Sequence, residues 1–228
     1  TAPGHASIYS GTTPAHHGII GNSWYSREKG LSVYCTSDPS QTGVGGSKSK
    51  GKMSPKNMLA STITDELRLT TNFRAKVVGV SIKDRGSILP AGHNPTGAYW
   101  FDSKTGNFMT STYYTDELPE WVSQFNREKR ASRYLEETWE PLYPIETYVQ
   151  STNDENEYER TYRGEKESSF PYDLKQIAKS EGVGLIRSTP FGNQLVMDMA
   201  IASIEGEGLG QDDTADFLSD QLSDIYDI

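Results

Sequence analysis

Five side chains in this chain have types and spacings that suit chemistry at an anionic centre. Thr1 carries a hydroxyl immediately ahead of Ala2-Pro3-Gly4, a turn that opens a helical stretch, where unpaired backbone amides and the helix dipole favour negative charge. Asn22 follows the glycine-punctuated run Gly18-Ile19-Ile20-Gly21, and its carboxamide can donate to an oxyanion. Lys83 and Arg85 stand one residue apart, offering a point charge and a planar fork to phosphate-like oxygens. Asp227 lies in an acidic terminal stretch and supplies a carboxylate that can ligate a cation. Each also has an ordinary role. Thr1 can be a plain N-cap, Asn22 a turn residue, and Lys83, Arg85 and Asp227 solvated surface charges.

The elements that would position these groups are partly written in the sequence. Ser54-Pro55 reads as a helix opening, with Leu59, Ile63, Leu67 and Leu69 at mostly helical spacing up to Thr70-Thr71-Asn72. Lys76-Val77-Val78-Gly79-Val80-Ser81-Ile82 is a β-branched run of the kind buried in an α/β sheet. Lys83-Asp84-Arg85-Gly86 then reads as a polar loop, and loops at the carboxyl ends of strands are where open α/β sheets place ligands. Residues 26–56 read as irregular. Within them, Gly43 to Lys52 is glycine-rich and basic but lacks phosphate-loop spacing, so a solvated loop is expected. Helices are expected over Asp173–Ser180 and Thr189–Glu205, and a helix or strand within 212–222.

Residues 97–170 change character, with Tyr99, Trp100, Phe108, Trp121, Tyr134 and Trp139 among many aromatics set in Glu, Asn, Thr and Ser. The expected fold is α/β: a central, mostly parallel sheet flanked by helices and interrupted by an aromatic-rich insertion. Three parts are expected: 1–96 as the first part of a catalytic core, 97–185 as an insertion or cap, and 186–228 as a return to the core. Both termini read as cut, so the chain is expected to be an internal piece of a longer protein.

Composition narrows the function. At 228 residues the chain can bury a core, and a net charge of −9 lacks the basic footprint that nucleic-acid binding requires. No apolar run is long enough to cross a bilayer. Cys35 is alone, so no internal disulfide forms, and a buried, inert thiol is expected. There is no signal-peptide pattern within the chain.

Thr1 through Asn22 resembles the nucleophile segment of the alkaline phosphatase superfamily, in its phosphate-irrepressible bacterial branch related to nucleotide pyrophosphatase/phosphodiesterases. Ser54-Pro55-Lys56-Asn57-Met58-Leu59, Val78 through His93, Gly97-Ala98-Tyr99-Trp100-Phe101-Asp102 and Ser111-Thr112-Tyr113-Tyr114 are similar to that branch as well. The resemblance is strong over most of 1–125, moderate over 190–228, and slight between.

The resemblance implies a phosphate monoester hydrolase with two zinc ions and a phosphothreonine intermediate. Thr1 would be the nucleophile and touch one zinc. Asn22, Lys83 and Arg85 would hold phosphate oxygens, and Asp227 would ligate zinc. It also implies a phosphorylated small-molecule substrate and a periplasmic or secreted location. His5, His16, His17 and His93 are the four histidines, with packing or hydrogen-bonding roles expected for the first three. A closed two-zinc site needs about six ligands, so this chain alone is expected to bind zinc weakly and to be inactive. The rival readings are a phosphodiesterase of the same superfamily, an N-terminal nucleophile hydrolase, and a non-catalytic binding or cap fragment.

Overall fold

A computed structural model describes residues 1–159, 161–162 and 167–222. In chain order the elements are α1 (Ala2–Ser10), α2 (Pro14–His17), β1 (Ser23–Ser26), β2 (Leu31–Tyr34), β3 (Gly43–Val44), α3 (Ile63–Thr70), β4 (Val77–Ser81), α4 (Asp84–Ala91), β5 (Gly97–Asp102), β6 (Asn107–Ser111), α5 (Glu120–Arg127), α6 (Arg130–Tyr134), β7 (Thr138–Trp139), β8 (Tyr172–Asp173), α7 (Leu174–Glu181), α8 (Pro190–Glu207) and β9 (Phe217–Gln221).

The core is a five-stranded sheet in the order β3-β6-β5-β4-β9. β4 is buried at every residue because helices cover both faces, which explains its unbroken apolar and small-residue run. Successive side chains alternate between those faces. Val78, Val80, Tyr99 and Phe101 pack with Val122, Phe125, Leu195 and Met199 from α5 and α8. Val77, Ala98 and Trp100 pack with Ile88 and Ala91 of α4 on the other side. A third cluster, Ala2, Ala6, Ile19, Cys35, Met58 and Leu89, fixes α1 against the outer side of α4.

The expected central sheet flanked by helices is present, and its pairing is mixed. β5-β4-β9 are parallel, whereas β6 pairs antiparallel with both of its neighbours, β5 and β3. The reversal after β5 is local: Asp102 accepts hydrogen bonds from Ser47 N (2.8 Å), Ser47 Oγ (2.7 Å), Lys104 N (3.1 Å) and Thr105 Oγ1 (2.9 Å), and Gly106 takes φ 78°. A tight, side-chain-pinned turn gives a hairpin where a crossover would give a parallel pair. The start of the aromatic-rich segment therefore lies in the central sheet as β5 and β6.

Several local expectations change. α3 begins at Ile63, with the reciprocal Thr62–Asp65 capping box, and not at Ser54-Pro55. Ser54 is instead held in a loop, its Oγ donating to Asp38 Oδ2 at 2.7 Å, while Asn57 Nδ2 donates to three carbonyls, those of Tyr34, Cys35 and Ser37. Residues 26–56 contain the β1–β2 hairpin and the sheet-edge strand β3, so the Gly43–Lys52 stretch is anchored structure and not a free loop. Lys83-Asp84-Arg85-Gly86 is the start of α4 directly after β4. The two late helices form as α7 and α8, and 212–222 yields the strand β9. Among the described residues no helix is long and apolar enough to cross a membrane.

Candidate active site

Thr1 is the N-cap of α1, but its hydroxyl makes no capping hydrogen bond. The first amide of the helix, which has no partner within it, is held by another residue: Asn22 Oδ1 accepts from Ala2 N at 2.8 Å. A side chain borrowed from twenty residues along the chain thus stabilises the helix start, and Thr1 Oγ1 stays uncommitted. Gly4 lies against it: a Cβ built there would sit 3.4 Å from Thr1 Oγ1. Asn22 is itself placed by its carbonyl, which accepts from Cys35 N at 3.0 Å at the end of the hairpin. Because its Oδ1 accepts, its Nδ2 hydrogens are turned to other acceptors.

Lys83 and Arg85 come from the junction of β4 and α4, where Lys83 is the N-cap and its backbone amide donates to Ser81 Oγ at 3.1 Å. Gly86 permits this tight start, since a Cβ there would lie 2.5 Å from Ser81 Oγ and 1.7 Å from Gln221 Oε1. Arg85 is held from β2. Its Nη1 donates to Tyr34 Oη at 3.0 Å, and Tyr34 in turn donates to Asp84 Oδ1 at 3.0 Å. Thr36 Oγ1 donates to the other oxygen, Asp84 Oδ2, at 2.5 Å. Burial, followed by the field of Asp84, pushes the Tyr34 phenol well above its ordinary range, so it stays protonated and keeps donating. Nothing in the sequence marks Tyr34, because its partners lie fifty residues away.

His5, one turn along α1, reports how these groups converge. Burial lowers its pKa, aided by the positive field of Arg85. Its imidazole is neutral at physiological pH, and Nδ1 is buried without a hydrogen-bond partner. His17 is also neutral: burial lowers its pKa, and Nδ1 accepts from Ile19 N at 3.1 Å while Nε2 faces Ser7 Oγ at 3.0 Å. His16 meets only Thr13, at 3.2 Å. Cys35 is buried, with its thiol pushed to about 11 chiefly by burial, as expected of an inert cysteine.

The structure thus places Asn22 at the head of α1 beside Thr1, and Lys83 and Arg85 at the head of α4, with His5 on α1 within the field of Arg85. Asp227 lies outside the described residues. Among the described residues, no three His, Cys, Asp or Glu side chains converge as a metal site would require.

Comparison with known proteins gives these placements a context. Residues 1–176 match the family described as "Type I phosphodiesterase / nucleotide pyrophosphatase". The alkaline phosphatase PhoV of Synechococcus elongatus is 52% identical over 98% of this chain and 40% of its own length. The alkaline phosphatase PafA of Elizabethkingia meningoseptica is 52% identical over 98% and 41%. The crystal structure of wild-type PafA superposes with a TM-score of 0.93 over 96% of this chain and 42% of that one. A further crystal structure, a PafA variant altered at one threonine, one asparagine, one lysine and one arginine, also gives 0.93, covering 96% of this chain and 43% of that one. The chain thus spans about two-fifths of the length of these relatives. With more than half of its residues matched by the family and half of them shared with whole-chain relatives, the chain belongs to the type I phosphodiesterase/nucleotide pyrophosphatase family, within the alkaline phosphatase superfamily.

Proposed function

We propose that this chain carries the nucleophile and phosphate-holding half of a phosphate monoester hydrolase of the alkaline phosphatase type. The observation that carries the reading is the Thr1 hydroxyl, which makes no cap hydrogen bond and stands beside an Asn22 that holds the first helix amide at 2.8 Å. The altered PafA variant supports it. Its threonine and asparagine stand as far apart in sequence as Thr1 and Asn22, and its lysine and arginine are separated by one residue, like Lys83 and Arg85.

In this reading Thr1 Oγ attacks phosphorus in line with the leaving oxygen. The Oγ–P bond forms as the ester P–O bond breaks, the hydroxyl proton departs, and the leaving oxygen takes one up. Water then splits the phosphothreonine and releases phosphate. The Asn22 amide, the Lys83 ammonium and the Arg85 guanidinium stabilise the charge on the equatorial oxygens, with the fork of Arg85 held in orientation by Tyr34. Neutral His5 adds no competing positive charge beside Arg85.

The family resemblance implies zinc, with Thr1 and Asp227 as two of its contacts. Thr1 offers one oxygen, and the described residues bring no three metal-ligating side chains together. They do not fit a two-zinc centre by themselves, and the chemistry assigned to this chain is that of its own side chains. The remaining ligands and an extracytoplasmic location belong to the same proposal, as does the division into 1–96, 97–185 and 186–228, in which the first strands of the middle part, β5 and β6, complete the core sheet.

The test is the full-length protein with Lys83→Ala and Arg85→Ala. Hydrolysis of a phosphate monoester should fall by about 10²-fold or more for each, while a diester, with one fewer charged oxygen to hold, should lose far less. Equal losses on both would favour the phosphodiesterase reading suggested by the family's description. No hydrolysis of either by the unaltered protein would favour a binding role.

A further inference from the structure

The carboxyl ends of β4 and β5 open onto a cleft of about 270 Å³ that the proposed chemistry does not use in full. Its wall includes Lys83 and Arg85, and also Lys50, Trp100, Asp102 and Arg187. Such a position, beyond the carboxyl ends of parallel strands, is where α/β sheets place ligands.

The hydrogen-bonding capacity of this cleft is one-sided. Its two carboxylates are already engaged: Asp84 accepts from Tyr34 and Thr36, and Asp102 from Ser47, Lys104 and Thr105. Lys50 and Arg187, both exposed, have no side-chain partner among the described residues. Trp100 is only 3% exposed, yet its indole Nε1, a donor only, is buried without an acceptor. What the cleft still offers is therefore the positive charge of Lys50 and Arg187, and what complements it is an anion.

The carriers of those charges are fixed in place. Lys50 sits on the 3-10 turn Lys48–Gly51, packed so closely on β3 that a Cβ at Gly51 would lie 2.1 Å from Gly43 Cα. Arg187 sits on the 3-10 segment Val183–Ser188, anchored in the core by Leu185 and Ile186.

We propose that this cleft binds a second oxyanionic group, a carboxylate or a second phosphate, carried on the leaving-group side of the substrate. Lys83 and Arg85 hold the phosphoryl group at one wall, and Lys50 and Arg187 receive the second anion from across the cleft. The inference rests on the phosphate monoester reading and narrows its substrate class to doubly anionic phosphate esters.

Calorimetric titration of the full-length protein with non-hydrolysable phosphonates tests it without catalysis. The probes are benzylphosphonate, its 4-carboxy derivative and the corresponding 1,4-bisphosphonate. The carboxylated or bis-phosphonate probe should bind about tenfold more tightly than benzylphosphonate at low salt, the gain expected of charge-assisted contacts. The larger gain of the two identifies the second group. Arg187→Ala and Lys50→Ala should each reduce that advantage to about threefold or less, with Lys48→Ala, on the same turn but outside the cleft, retaining it. An advantage lost equally in Lys48→Ala would mean long-range attraction and overturn the cleft as a site. Tight benzylphosphonate binding with no gain from a second anion would overturn this inference alone, whereas failure of all three probes to bind would overturn the phosphate reading with it.

Discussion

The corner formed by the heads of α1 and α4 and the aromatic wall behind the sheet are built on opposite plans. In the corner, small residues such as Ala2 and Ala6 bring the helices together, and each polar group is positioned by one or two hydrogen bonds. In the wall, rings are positioned by other rings. Tyr134 stacks on Phe191 at 5.8 Å, Trp139 meets Phe170 at 5.1 Å, and Tyr172 contacts Trp139, Tyr162 and Phe170 at 5.4, 5.3 and 4.9 Å. Directional bonds specify geometry at small energetic cost, whereas ring packing supplies stability with looser orientation. The two regions should therefore respond in opposite ways to substitution.

The sharpest break between them is Thr1→Ala. Turnover of a phosphate monoester by the full-length protein should fall by at least about 10³-fold, as expected for loss of a nucleophile. The urea midpoint should barely move, because Thr1 makes no cap bond, whereas a true capping threonine would cost about 1 kcal/mol. A stability loss with activity retained would return Thr1 to a plain cap.

Tyr172→Ala should do the reverse. Removing this buried ring from its three aromatic neighbours should cost about 3 kcal/mol in urea denaturation, with turnover per folded molecule within about twofold. A collapse of turnover in still-folded protein would mean that the wall reaches the chemistry.

Tyr34→Phe lies between the two. It keeps the ring and deletes the link between Arg85 and Asp84, so kcat/KM for a monoester should fall by about tenfold, and inhibition by inorganic phosphate should weaken in parallel. A change in stability alone, with phosphate inhibition intact, would make Tyr34 a packing residue.

The smallest effect concerns His93, which meets the corner only at its edge, through the Met58 carbonyl. Its Nδ1 faces Asp65 Oδ2 and its Nε2 faces the Met58 carbonyl, both at 2.9 Å, so both nitrogens donate and the imidazolium is favoured. The hydrogen bond to Asp65 raises its pKa above 6.5, while burial of Asp65 is outweighed by its hydrogen bonds, chiefly from His93, which hold it at about 2. The His93 contribution is complete below pH 6.5 and is lost as pH rises through the raised folded value. The Asp65 contribution is present above 3.8 and is lost as pH falls towards 2. Thermal unfolding of His93→Gln against the unaltered protein should therefore differ most between about pH 4 and 6.5 and converge at alkaline pH. A difference independent of pH would refute the charged pair.

Where the sequence was legible, the determining forces were short-ranged. The Val77–Ser81 strand shows itself because both of its faces are covered, and α7 and α8 form over the segments expected to be helical. Thr1, Asn22, Lys83 and Arg85 were legible as residue types at suggestive spacings. The start of α3 was misplaced because Ser54 and Asn57 spend their hydrogen bonds on a distant loop, which no local pattern records. The turn after β5 closes locally on Asp102, but its tie to Ser47, fifty-five residues away, and the Tyr34 clamp over a similar separation join distant parts of the chain. Local propensity cannot carry such information.

The single hydrogen bond from Ala2 to Asn22 has a consequence for the cost of reaction. A free carboxamide can swing, and can turn either its oxygen or its nitrogen towards an approaching anion. Here the oxygen is tethered to the backbone before any ligand arrives, so the amide presents its N–H edge at rest. No rotor has to be frozen and no dipole reversed as charge builds on the phosphoryl oxygens. The helix that Asn22 stabilises also sets its orientation, and the reorganisation that water would need at that point is completed during folding.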